Sequence, residues 1–133
     1  MDKQIKNITL LEDGSIRFKT GRVEMPKNRV TKIEDGVVYF LVNKGKHEAK
    51  VNIEDYFRLS LWAHRLTMDH RLISRGVIAY DNGYEHKSLG AAIMQTTKGQ
   101  RVSYANKDHL DCRKSNLVVK ENEYRFRWVK NVK

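Results

Sequence analysis

Asp108, His109 and Asp111 stand within the run DHLDCRKSN, residues 108–116. One imidazole and two carboxylates at this spacing could chelate a divalent cation, and a cation so held could activate water for hydrolysis. The same residue types fall together in many loops by chance, so no metal or cofactor is expected there. Elsewhere the chain has no glycine-rich phosphate loop, no Ser-His-Asp arrangement and no paired carboxylates. His64 and His70 flank the end of a helical pattern and His86 lies further on; all three read as structural or exposed residues. Cys112 is the single cysteine. It excludes an internal disulfide and a multi-cysteine zinc site, and it fits a reducing cytoplasm.

The chain around this run is basic. It has 133 residues, with 26 Lys and Arg against 16 Asp and Glu, a formal charge of +10 and a pI near 9.8. The charge is spread along the chain, which favours a polyanionic partner, nucleic acid above all. A well-solvated basic surface is the plainer alternative. No apolar run approaches the roughly 18 residues of a membrane span, and MDKQIKN lacks an apolar signal core. We therefore expect no membrane partner.

The elements that must hold the 108–116 run read as follows. Residues 5–51 alternate short β-branched runs with turns, and two Asp-Gly pairs mark hairpins, so an antiparallel meander is expected. Pro26 falls between strands. In IEDYFRLSLWAHRL, Tyr56, Leu59 and Ala63 recur at helical steps and Glu54 and Asp55 lie in the first turn, which predicts a helix over 53–66. Phe57, Leu61 and Trp62 read as core anchors beside that stripe. LISRGVIAY, DNG and YEHKSLGAAIMQ suggest a strand, a turn and a short helix. The tail EYRFRWVKNV alternates Tyr124, Phe126 and Trp128 as a strand would, yet Asn122, Arg125 and Val129 recur at helical spacing.

Residues 84–127, YEHKSLGAAIMQTTKGQRVSYANKDHLDCRKSNLVVKENEYRFR, resemble the phage-type HNH endonuclease family. Its pattern runs HRLIM, a short loop, VDHINGD, LDNRRSNLRV and a helix with two asparagines three apart. KVNIEDYFRLSLWAH is similar to the family's VDxED and tryptophan segment.

The N-terminal antiparallel β-strands and helix read over 1–70, with the C-terminal ββα-metal module over 71–133 that the resemblance implies, give an α+β fold, and the length suits one compact domain. The resemblance places one strand at 101–105, a loop at 106–116, a second strand at 117–119 and a helix from about Lys120, which would make the tail helical. His86 matches the histidine of HRLIM. Asn106 and Asp108 match the strand-end element, Asp111 and Arg113 the LDNR loop, Asn116 the central asparagine and Asn122 the first helical asparagine. For Asp111 and Arg113 we expect an ion pair or backbone capping.

Three groups that would perform the family's chemistry are replaced. The general base aligns with Tyr104, and a phenol with a pKa of about 10 is a poor base at neutral pH. One metal ligand aligns with Ser103, a weak ligand for a hard cation. The second aligns with Arg125, whose guanidinium repels one. The resemblance therefore implies a catalytically inactive HNH-like protein, acting in the cytoplasm of an infected bacterial host. It would bind nucleic acid, DNA ahead of RNA, or another phosphate-rich ligand through Arg101, Lys107, Arg113, Lys114, Lys120, Arg125 and Arg127. Two other functions remain open. One is an effector that binds and inhibits an acidic host protein; the other is a residual metal-dependent DNA nickase built on Asp108 and His109.

Overall fold

The computed structural model of the chain describes residues 3–5, 8–42, 44–68, 77–81 and 85–121. Four short strands open it: β1 (Lys3–Ile5), β2 (Ile8–Leu10), β3 (Ile16–Phe18) and β4 (Val23–Glu24), paired antiparallel in chain order. The first Asp-Gly pair turns β2 into β3. Asp13 accepts the Ser15 N–H at 2.9 Å, and Gly14 takes φ +88°, where a Cβ would also meet Val30 Cγ2 at 2.3 Å. Only glycine suits both the angle and the space.

A second antiparallel sheet follows, made of β5 (Val30–Glu34), β6 (Val37–Val42) and β7 (His47–Asn52). Asp35 and Gly36 both have positive φ, 53° and 77°, as a two-residue turn of matching twist requires. Val38, Phe40 and Val42, with Ala49 and Val51, point inward and are buried. Lys32, Tyr39 and Lys50 pair in one row on the outward face.

Helix α1 (Ile53–Arg58) is shorter than the 53–66 span that the apolar stripe predicts. Ser60 adopts a left-handed conformation (φ 51°, ψ 48°), a 3₁₀ turn covers Leu61–Ala63, and strand β8 (Leu66–Met68) begins where the helix was to end. The cause lies 38 residues upstream. Asn28 accepts the Leu66 N–H at 2.8 Å and donates to the Leu66 carbonyl at 2.8 Å, holding that residue extended. The break still buries Phe57, Leu61 and Trp62, whereas Ala63 becomes exposed.

Strand β8 pairs with β9 (Val77–Asp81), which pairs with β10 (Glu85–Ser88), all antiparallel. Helix α2 (Leu89–Met94) leads to the last hairpin, β11 (Gln100–Tyr104) and β12 (Leu117–Glu121). Lys120 and Glu121 belong to β12, opposite Arg101 and Gln100. The helix expected from about Lys120 therefore does not begin there, because cross-strand pairing holds both residues extended. The rest of that segment lies outside the described residues. Buried side chains from Leu10 to Leu117 form one continuous apolar cluster, with contributions from both sides of residue 70. The architecture is α+β, with antiparallel sheets and two short helices.

Candidate functional site

The run 105–116 joins β11 to β12 and is folded around one carboxylate. Asp111 is fully buried. Arg113 donates Nε to Oδ1 at 2.8 Å and Nη2 to Oδ2 at 2.7 Å, and its backbone N–H reaches Oδ1 at 3.3 Å. Both arrangements expected of this pair, charge pairing and backbone capping, are thus formed together. Asn106 Nδ2 donates to Oδ2 at 2.9 Å, and the Lys50 ammonium stands 3.9 Å from the same oxygen. Burial by itself would raise the Asp111 pKa; the Arg113 side chain and N–H, with Asn106, outweigh it and hold the carboxyl below its usual range.

Two asparagines close the loop. Asn116 accepts the Asn106 N–H at 2.9 Å and donates to the Asp111 carbonyl at 3.0 Å. Asn106 accepts the Asp108 N–H at 2.8 Å, and Asp108 accepts the Leu110 N–H at 3.0 Å. The loop is also sewn to β7: Lys50 N–H donates to the Leu110 carbonyl at 3.0 Å and Cys112 N–H to the Lys50 carbonyl at 2.8 Å. Asn52 accepts the Lys114 N–H at 2.7 Å. Composition offered no sign that Lys50 and Asn52 serve this loop; their nearest signal is their place beside the IEDYF segment.

Asp55 is the second residue to change meaning. Its place in the first helical turn suggests a charge set on the helix dipole, yet it is wholly buried. Arg58 Nη2 donates to its Oδ1 at 2.9 Å and to the Ile93 carbonyl at 2.9 Å, and Lys114 Nζ lies 3.7 Å from the same Oδ1. Helix α1 is thereby linked to α2 and to the hairpin loop.

Tyr104 and Ser103, adjacent on β11, project to opposite faces. Tyr104 turns inward and is 7% exposed, with its ring centroid 4.8 Å from that of His109. Its hydroxyl approaches Gly90, where a Cβ would meet it at 3.0 Å, and has no well-formed hydrogen bond among the described residues. Burial, with some repulsion from Cys112, pushes the phenol up to about 12, and only the nearby Ser88 hydroxyl opposes the shift. At neutral pH this group holds its proton and faces away from solvent.

No family model, curated protein or solved structure matches this chain. The geometry therefore carries the functional argument. The outward face of the hairpin presents Arg101 directly opposite Lys120, both exposed, with Ser103 opposite Val118 in the next row. Lys107 and Lys114 are exposed on the loop. Asp108, His109 and Asp111 do not combine as ligands, since both Asp111 oxygens are engaged. Among the described residues no three His, Cys, Asp or Glu side chains are grouped to hold a metal. No described helix is long and apolar enough to cross a membrane. The side chain of His86, together with Asn122, Arg125 and Arg127, lies outside the described residues.

Proposed function

We propose that this chain is a catalytically inactive HNH-like protein that binds nucleic acid through the basic outward face of the β11–β12 hairpin. The observation that carries the reading is the direct cross-strand pairing of Arg101 with Lys120. Like charges placed opposite one another destabilise a sheet. Neither has an acidic partner among the described residues, and a phosphate between them would turn their repulsion into two charge-assisted contacts. Exposed Lys107 adds positive charge on the loop, and Lys114 adds less because its ammonium stands 3.7 Å from Asp55. The inward, protonated Tyr104 supports the loss of catalysis, because the position assigned to the base offers no proton acceptor.

The test combines binding and cleavage. The chain should bind a labelled duplex oligonucleotide in a salt-dependent manner and leave supercoiled plasmid intact with magnesium or manganese. Arg101→Ala with Lys120→Ala should lower the affinity and reduce the salt slope by about 2, one unit for each lost phosphate contact. Binding unchanged by the double substitution, or metal-dependent nicking, would overturn the proposal.

A further inference from the structure

We infer that the outward face of the β5–β7 sheet binds single-stranded nucleic acid, with Tyr39 stacking on a base and Lys32 and Lys50 holding the flanking phosphates. The inference rests on the nucleic-acid reading above and adds a second surface and a strand preference. Lys32, Tyr39 and Lys50 occupy one row, each directly opposite the next across three antiparallel strands. The ring is half-buried. The Lys32 ammonium lies 4.4 Å and the Lys50 ammonium 5.8 Å from its centroid.

An aromatic ring flanked by two cations, the Lys32 one exposed, on an open sheet suits unpaired bases. The ring is sequence-tolerant because every base has a π-face, and the lysines follow the backbone. A duplex keeps its bases stacked and hides those faces. Lys32 is exposed and has no ion-pair partner among the described residues, so it can leave the ring for a phosphate as a base moves in.

The acids on this face do not cancel the row. Glu48 stands in an adjoining row and accepts the Thr31 hydroxyl at 2.6 Å, and Glu34 stands in the other opposite Val37. Asp111 of the hairpin loop lies 3.9 Å from the Lys50 ammonium, but Arg113 takes both its oxygens at 2.8 and 2.7 Å, which leaves Lys50 the weaker partner. The approach of Lys50 to Asp111 makes the sheet face continuous with that loop.

Fluorescence anisotropy of labelled oligothymidylate, oligouridylate and a duplex decides the matter, with the full chain at fixed salt. Tyr39→Leu should weaken single-strand binding roughly five- to a hundredfold, the loss of one stacked base, and leave duplex affinity unchanged. Tyr39→Phe should retain single-strand binding, and Lys32→Glu should weaken it with a reduced salt slope. The two single-stranded arms show whether the sugar matters. A Tyr39→Leu protein that melts normally and binds single strands like the wild type overturns the inference, and the hairpin reading survives if Arg101→Ala with Lys120→Ala still abolishes duplex binding. Should Tyr39→Leu fail to fold, Lys32→Glu decides: undiminished single-strand binding overturns the inference. A wild-type chain that binds neither form overturns both.

Discussion

Arg113 holds both carboxylate oxygens of Asp111 from two residues away, Nε on Oδ1 at 2.8 Å and Nη2 on Oδ2 at 2.7 Å. This local fork lets a loop of polar residues carry a fully buried charge. Asp111→Ala removes the acceptor for Arg113 and Asn106 at once. We expect a loss of about 3 kcal/mol, the lower end for a broken buried pair because Arg113 is partly exposed, read from urea unfolding.

The same carboxyl sets the acid limb of stability. Its folded pKa lies below its unfolded one, so its contribution is present above the ordinary carboxylate range and disappears as pH falls through the folded value. Urea midpoints measured from neutral pH downward should fall for the wild type. Asp111→Asn should start lower and flatten over that interval.

At the alkaline end the sign reverses. Burial pushes the Cys112 thiol up to about 12, helped by Asp111 and Asp108, and the Tyr104 phenol to about 12. Each contribution is complete below the unfolded pKa, about 8.5 for a thiol and about 10 for a phenol, and is lost as pH rises through the folded value. Stability should decline from about pH 9 upward, and Cys112→Ala should delay the onset. The native thiol should resist thiol-specific reagents until the chain unfolds.

Tyr104→Phe removes a buried hydroxyl that makes no well-formed hydrogen bond. The variant should be as stable as the wild type or about 1 kcal/mol more so, by thermal melting. A destabilised variant would mean that the hydroxyl has a partner that matters.

Asn28→Ala should cost about 2–3 kcal/mol, because it frees both backbone groups of Leu66 and the Leu41 carbonyl. Circular dichroism should show whether the segment after α1 then extends its helix, as its apolar stripe favours.

That stripe shows where reading the sequence stops. Tyr56, Leu59 and Ala63 have helical spacing, but nothing near them announces the left-handed Ser60 or the extended Leu66, which a side chain 38 residues away imposes. Turns were legible because their cause is local: Asp13-Gly14 and Asp35-Gly36 carry their conformation in their own chemistry. The Asp111–Arg113 pair was expected from the likeness to the LDNR loop. The burial of Asp55 was not, since beside the local Arg58 it is enclosed by groups such as Lys114 from another part of the chain, and the row Lys32–Tyr39–Lys50 emerges only once three strands are in register. Lys120 was assigned to a helix because the resemblance places one there, whereas its partner Arg101 keeps it in a strand.

The parallel bridge between Lys50 and Asp111, with the bond from Lys114 to Asn52 across 62 residues, gives the loop a birth order. A chain made from its N-terminus completes β5, β6 and β7 before Asp111 leaves the ribosome, so the sheet edge waits as a template for a loop that has little apolar surface of its own. Closing so wide an interval is slow in a free chain, because the entropy is lost before any contact is gained. Synthesis in this direction shortens the search. A circular permutant that begins near residue 85 and ends near residue 84, so that β5 to β7 follow the loop, would deliver the loop before its template, and should refold normally from urea yet accumulate poorly when translated.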